Sequence, residues 1–166
     1  MKTLNLLRKA AVSALLIFGA GLYCSAQVNM GVGPVISGSV QTSKLPDKAQ
    51  KFIGKHFANI KIASAQKDYA ENDYDVVLSN GTKLEFTSKG ALKEIEASDN
   101  AVLPVTVVKS VLPKKTYDEL TKKNLTGNVE SIECNKKGYQ VEFKHPKFDK
   151  ANFDTEGVII NLIYED

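Results

Sequence analysis

The chain has 166 residues, with 22 lysines and arginines against 19 acidic residues and a formal net charge of +3. Three of those cations, Lys2, Arg8 and Lys9, lie near the N-terminus, so the remainder of the chain carries 19 of the 22 against the 19 acidic residues. Nucleic-acid binding requires a basic patch or stripe. A chain whose net charge is near zero beyond its first residues is therefore not expected to bind nucleic acid.

The N-terminal segment has the pattern of a secretory signal peptide. A basic start is followed by an apolar run from Ala10 to Leu22 and by the small residues Cys24, Ser25 and Ala26, which predicts cleavage near Ala26. An N-terminal membrane anchor and a lipoprotein acylated at Cys24 are the alternatives. The apolar run is short for a membrane span, and the bulky residue before Cys24 argues against acylation. We expect a periplasmic or secreted protein without stable membrane insertion.

Residues 27–43 are rich in glycine, serine and valine without periodicity, which predicts a flexible leader. Residues 44–166 are then the folded domain. Cleavage near Ala26 would also remove one of the two cysteines, so Cys134 would be left without an intramolecular disulfide partner.

Regular periodicity begins at Leu45. Apolar residues at helical spacing predict an amphipathic helix from about Pro46 to Ala58. A strand-like stretch follows from Ile60 toward Tyr69. Alternating apolar residues, with Asn80-Gly81 as a type I′ turn, then predict a hairpin and a further strand from Ala91 to Glu96. The alternating positions are Tyr74, Val76, Leu78, Leu84 and Phe86.

The same order recurs in the second half of the chain. Leu112-Pro113 opens another predicted helix, and strands are predicted from Val129, from Gly138 and from Val158 to Tyr164. A proline-containing loop over Lys144–Asn152 replaces the tight turn, and Ser98–Val111 joins the halves, with room for a short helix. The pattern predicts an α+β fold of two tandem copies, about 45–97 and 112–164, each a helix packed on an antiparallel β-meander.

These motifs resemble the PepSY-like family of exported Bacteroidetes proteins, described as beta-lactamase-inhibitor-like. The resemblance runs from about Leu45 to Ile163 and is closest in the first half, where a Leu-Pro helix start precedes Tyr74-x-Val-x-Leu-x-Asn-Gly and a Phe-x-x-x-Gly motif that begins at Phe86. It implies tandem helix-plus-sheet units, an exported location and binding rather than catalysis. No catalytic residue transfers from it, and beta-lactamase inhibition specifically is not predicted.

The residues that carry chemistry elsewhere have a structural interpretation here. Cys134 is predicted to be a small, buried apolar residue of a strand, and a catalytic thiol would need a histidine partner. His56 is expected to cap or pack at the end of the first helix. His56 and His145 lack the short spacing of metal ligands. No catalytic, cofactor-binding or metal-binding residues and no cofactor are predicted.

An acidic cluster precedes the first hairpin. Its members lack the register of a calcium-binding EF-hand loop, so a solvated turn is predicted. They are Asp68, Glu71, Asp73 and Asp75.

The expected function is that of an exported, non-enzymatic binding module that binds or inhibits an envelope or secreted protein. The alternative is a periplasmic carrier of a small molecule or peptide.

Overall fold

The computed structural model describes residues 44–164, which contain three helices and eight strands. The predicted signal peptide and leader lie outside the described residues. The helices are α1 (Asp47–His56), α2 (Val105–Val111) and α3 (Lys114–Lys122). The strands are β1 (Ile62–Asp68), β2 (Asp73–Leu78), β3 (Lys83–Phe86), β4 (Leu92–Glu96), β5 (Val129–Asn135), β6 (Gly138–Phe143), β7 (Phe148–Phe153) and β8 (Ile159–Tyr164).

All eight strands form one antiparallel sheet in which the spatial order follows the sequence order. The predicted α+β class is confirmed. The two predicted meanders are continuous, because β4 pairs with β5 through Ile95↔Ile132 and the residues on either side. That the halves are copies of one unit, with the predicted domain boundaries, stays a prediction.

One face of the sheet forms the core. Strand alternation brings a row of small and branched apolar side chains into direct cross-strand register on this face. Helix α1 packs there through Ala49 and Ile53, and the ring of Phe52 lies 5.9 Å from that of Phe86. The row consists of Ala65, Val76, Leu84, Ile95, Ile132, Val141 and Ala151, all buried. The opposite face is consequently the polar one.

Glycines allow two loops to approach the helix starts closely. Gly90 has φ +77°, and a Cβ atom built on it would lie 2.8 Å from Cβ of Pro46. Gly157 has φ +80°, and its Cβ would lie 2.6 Å from Oγ1 of Thr116. Both conformations favour glycine because L side chains are strained at positive φ. These contacts position α1 and α3 on the sheet.

The predicted two-residue turn at Asn80-Gly81 is wrong. A type I′ turn requires positive φ at both central residues, and only Gly81, at +85°, has it. The Leu78 N–H donates to the Thr82 carbonyl at 2.8 Å, and the Gly81 N–H donates to the Leu78 carbonyl at 2.9 Å. The connection is therefore a three-residue loop, with glycine at its left-handed position.

The predicted loop over Lys144–Asn152 is also wrong in extent, since β7 begins at Phe148. Between Phe148 and Phe153 the only apolar residue is Ala151, so the alternation typical of a strand is weak. The segment is nevertheless a strand because it pairs with β6 on one side and with β8 on the other. The short helix expected between the halves is confirmed as α2. The first helix is confirmed within two residues of its predicted ends.

Candidate binding surface

Four carboxylates lie directly opposite one another on the polar face of the sheet. Asp75 pairs with Glu85, Glu85 pairs with Glu94, and Glu94 pairs with Glu133. We call these four residues the carboxylate row. Like charges directly opposite each other in an antiparallel pair destabilise it. The row therefore costs stability where neutral polar residues would not.

A β-bulge places one lysine beside the carboxylate row. The β3–β4 register shifts between Glu85 and Phe86, so Lys93 has no cross-strand partner. Its ammonium lies 3.0 Å from a carboxylate oxygen of Glu71 and 2.5 Å from one of Asp73, and it also contacts Glu85. Burial lowers the pKa of Lys93, but the hydrogen bonds to the three carboxylates outweigh burial and raise the pKa above its usual value. The ammonium is thus held in its charged form.

Most of the row's charge is left uncompensated. Burial, followed by the neighbouring charges of Glu85 and Glu133, raises the pKa of Glu94 from 4.5 to about 7. The pKa of Asp75 is raised as well, by burial and then by Glu85, although Lys93 opposes the shift. Groups with shifted pKa values cluster at functional sites more often than elsewhere. The centre of the row is therefore where a cation would be most strongly attracted.

The neighbouring row on the same face is arranged differently. Lys83 lies opposite Glu96 with a 3.2 Å ion pair, and Lys150 lies opposite Glu142 with a 2.8 Å ion pair. Ser131 stands between the two pairs and donates to Glu142 at 3.4 Å. Each acid in this second row has a cation of its own. The fold can therefore balance its charges on this face, and the carboxylate row departs from that pattern.

The row forms one wall of a shallow depression of about 270 Å³. Lys93 is the cation among its lining residues, and Cys134 and Asn135 lie at one end. Sites for drug-sized molecules usually occupy about 300–1,000 Å³ and are mostly apolar. The depression is smaller and strongly charged, so this site does not suit a drug-sized apolar ligand. Its carboxylates are Asp68, Glu71, Asp75, Glu85, Glu94 and Glu133.

Three carboxylates around the Lys93 ammonium are close enough to share one cation. Glu71, Asp73 and Glu85 each offer an oxygen, and these oxygens lie within 4.8 Å of one another. The ammonium of Lys93 already contacts all three. A divalent ion at this position would have to displace the lysine.

The acidic cluster matches the predicted solvated turn only in part, since Glu71 and Asp75 are exposed but Asp73 is not. Asp73 is only 8% exposed and begins β2, while Asp75 lies within the same strand. Asp68 ends β1 and accepts hydrogen bonds from the backbone N–H groups of Ala70 and Glu71. The Asp68 carboxylate therefore helps to fix the turn between β1 and β2.

Cys134 lies in β5 as predicted, but its side chain is half-buried against the core rather than fully buried. Burial, then the charges of Glu133 and Glu94, raises the pKa of its thiol to about 11. A nucleophilic cysteine needs a lowered pKa, because the thiolate is the reactive form. The surroundings of Cys134 raise the pKa of its thiol instead, which supports the structural interpretation of this residue.

The two histidines have separate local partners. His56 Nε2 lies 3.2 Å from the hydroxyl oxygen of Ser110, and burial, with a smaller effect of Lys55, lowers the pKa of the ring. The ring therefore packs at the helix end and makes a hydrogen bond, as predicted. The lowered pKa disfavours the imidazolium form, so attraction of a charged ring to the helix end contributes less than predicted. His145 Nδ1 accepts from the backbone N–H of Lys147 at 3.1 Å. Within residues 44–164, neither histidine belongs to a group of three or more candidate metal ligands.

Sequence reasoning did not find the carboxylate row. Glu85, Glu94 and Glu133 lie on three different strands, and each one looks like an ordinary polar residue on the outer face of its strand. The available signal is in the alternation pattern. Once the hairpins are placed, counting outward from each turn puts Asp75 and Glu85 opposite each other.

Comparison with known proteins identifies the family to which the chain is similar. A family model described as "Putative beta-lactamase-inhibitor-like, PepSY-like" matches residues 72–161, more than half of the chain. The resemblance seen in the sequence is confirmed. No curated protein matches the chain.

Three solved structures share the fold. A Bacteroides vulgatus protein described as a "putative periplasmic protein of unknown function" is 32% identical, with a TM-score of 0.61, and the alignment covers 76% of this chain and 99% of that one. A second protein from that species, of the DUF2874 family, is 29% identical over 75% and 94% of the two chains, with a TM-score of 0.61. A Bacteroides thetaiotaomicron protein described as a "putative calcium-regulated periplasmic protein" is 28% identical over 76% and 95%, with a TM-score of 0.63.

Among the helices of residues 44–164, none is both long and apolar enough to cross a membrane.

Proposed function

The chain belongs to the PepSY-like family, and from that premise we propose that it is an exported, non-catalytic binding module whose carboxylate row docks a cationic segment of another protein. The observation that carries this proposal is the contrast between two adjacent rows on one face. The second row pairs each acid with a lysine, whereas the carboxylate row leaves four acids opposite one another. A lysine or arginine side chain from a partner would supply the missing charge.

The shape of the surface favours a macromolecular partner. Four neighbouring strands at about 4.8 Å spacing spread the row over roughly 14 Å. An extended cationic segment that crosses the strands can reach several of these carboxylates at once, whereas a small molecule would be enclosed only on one side. Electrostatic complementarity of this kind raises association rates and selects between partners.

The periplasm is the proposed location. The similar Bacteroides proteins are described as periplasmic, and the N-terminal pattern predicts a cleaved signal peptide. Cleavage near Ala26 is part of this proposal. Inhibition of an envelope or secreted enzyme is one consequence that docking could have.

Affinity capture from envelope extract tests the proposal. The bait is the mature chain from Gln27, compared with a Glu94→Gln/Glu133→Gln variant that removes two charges from the row. The matched control is Glu119→Gln/Glu156→Gln, which removes the same charge from α3 and from a loop. We expect one reproducible partner that the bait and the control recover, that the row variant loses, and that elutes at raised salt. Failure to recover a partner, or equal recovery by the row variant, would count against docking on this face.

A calcium-dependent role is the second candidate. It is favoured by the oxygens of Glu71, Asp73 and Glu85 lying within 4.8 Å of one another, and by one similar protein being described as calcium-regulated. Calcium takes six to eight oxygen ligands, so backbone groups or waters would have to complete the shell after Lys93 leaves. Calorimetric titration with Ca²⁺ and Mg²⁺ decides the question. We expect selective Ca²⁺ binding that strengthens in Lys93→Met; heat signals equal to buffer for both proteins would exclude this role.

A further inference from the structure

Glu94, in the carboxylate row, has no stabilising partner. Its neighbours across the strands are Glu85 in β3 and Glu133 in β5. Within residues 44–164, no hydrogen bond or ion pair reaches the Glu94 carboxylate. The charged groups that act on it are all acidic, namely Glu85, Glu133, Glu96 of the same strand and Glu142 of β6. The centre of the row therefore has a surplus of negative charge.

The two flanking acids each have a donor that stabilises their ionised form. Glu85 contacts the ammonium of Lys93, and Glu133 accepts a hydrogen bond from the side-chain amide of Asn135 at 3.1 Å. A donor to a carboxylate favours the charged form, whereas burial and like charges disfavour it. When adjacent carboxylates ionise at one another's expense, the proton stays on the member that lacks a donor. That member is Glu94, and burial together with the neighbouring charges raises its pKa to about 7.

Lys93 does not relieve the charge on Glu94, although the two residues are adjacent in sequence. The bulge brings the Lys93 ammonium to Glu71, Asp73 and Glu85, which lie on the β3 side of β4. Lys93 is also the cation among the described residues that line the depression. The β5 side of Glu94 is therefore left without a cation.

Building on the proposed docking function, we propose that a proton on Glu94 competes with the docked cationic segment, so that docking on the carboxylate row strengthens as pH rises through neutrality. Only the ionised carboxylate attracts an ammonium or guanidinium group. A cation held between Glu94 and Glu133 favours ionisation in turn, because an opposite charge stabilises the carboxylate. Docking therefore releases the proton, and the proton and the segment weaken each other's binding by the same factor.

The size of the effect follows from the proton affinity of Glu94 in the free and the docked protein. If docking returns the pKa of Glu94 from about 7 to its ordinary 4.5, protonation weakens docking about tenfold at about pH 6 and hardly at all at about pH 8. The dissociation constant should therefore fall about tenfold across this window.

Calorimetric titration with a cationic peptide tests the proposal. The probe is an acetylated and amidated peptide of alternating lysine and alanine, whose ammonium groups stay charged throughout the window. It is titrated into the mature chain from Gln27 at about pH 6, 7 and 8, at fixed ionic strength and in buffers freed of divalent ions. Glu94→Gln removes the titrating group, and Glu156→Gln makes the same change on an exposed loop. Histidines also titrate in this window, but all three proteins keep both of them.

We expect the dissociation constant to fall about tenfold from about pH 6 to about pH 8 in the wild type and in Glu156→Gln, and to change less than about twofold in Glu94→Gln. Repeating the titration in buffers of different ionisation enthalpy measures the proton directly. The wild type should release up to about one proton for each bound peptide near pH 6, and Glu94→Gln should release almost none.

The outcomes separate this proposal from the docking function on which it rests. A wild-type dissociation constant that is the same at every pH, or an equal pH dependence in Glu94→Gln, overturns the proton competition and leaves docking on the row in place. Absence of peptide binding at every pH overturns both.

Discussion

Replacing Glu94 with glutamine should stabilise the protein at neutral and alkaline pH. Burial and like charges raise the pKa of Glu94 from 4.5 to about 7 in the folded state. The folded protein therefore binds a proton more tightly than the unfolded chain, and its stability falls as pH rises from about 4.5 to about 7. At 1.36 kcal/mol for each pKa unit, the ionised carboxylate costs about 3 kcal/mol once the pH exceeds 7. Glutamine keeps the shape of the side chain and removes the charge.

Urea denaturation from about pH 5 to about pH 8 measures this cost. The wild-type free energy of unfolding should decline across that window, whereas Glu94→Gln should lose most of the decline and exceed the wild type by up to about 3 kcal/mol at the alkaline end. Glu156→Gln makes the same change on an exposed loop and should follow the wild-type curve. If Glu94→Gln declines as steeply as the wild type, or if the wild-type curve is flat, the electrostatic account of the row is wrong.

Three further substitutions test the surroundings of the row and the helix contacts by chemical denaturation. Lys93→Met should cost about 2–3 kcal/mol at neutral pH because three carboxylates lose their cation, and the loss should shrink toward pH 5; an equal loss at both pH values would contradict this. Gly90→Ala should cost about 2 kcal/mol or more, whereas the control Gly54→Ala, in an open part of α1, should stabilise by about 0.5–1 kcal/mol; similar values for the two would refute the close-approach argument. Thr116→Val should stabilise by about 1 kcal/mol, because it keeps the shape of the side chain and removes a buried hydroxyl that has no hydrogen-bond partner among the described residues. A loss of that size would show that the hydroxyl is satisfied.

Local periodicity was sufficient to predict most of the elements. Helix α1 follows from the spacing of Ala49 and Ile53, and β2 follows from the alternation that buries Val76 and Leu78. The errors lie where long-range pairing decides the conformation. Whether Asn80 sits in a two-residue or a three-residue loop depends on which residues of the flanking strands pair, and β7 depends on two neighbouring strands.

The carboxylate row could not be predicted for the same reason. Each of its members occupies a correct outward position of its own strand, so no local rule is broken by Glu94 or by Glu133. The repulsion between the carboxylates exists only after four strands are paired in the correct register. The bulge at Lys93 likewise cannot be located before β3 and β4 are paired. Cross-strand register is thus the information that separates an ordinary polar face from a candidate binding surface.

The sheet itself contains a neutral version of the row. Beyond Glu133 the same register line continues through Gln140, Asn152 and Asn161. The amide of Asn152 donates to the side-chain oxygen of Asn161 at 2.6 Å, so these positions gain a hydrogen bond where the carboxylates of β2–β5 repel each other.

Amide side chains are therefore compatible with the fold at these outward positions, and the packing of the sheet does not require carboxylates there. Converting two neighbouring members of the row that have no lysine contact to amides, as Glu94→Gln/Glu133→Gln, should raise the free energy of unfolding above that of Glu94→Gln alone while it abolishes capture of the cationic partner. Loss of capture together with a lower free energy of unfolding would mean that the carboxylate charges stabilise the fold. Loss of capture with a gain in stability would assign them to binding.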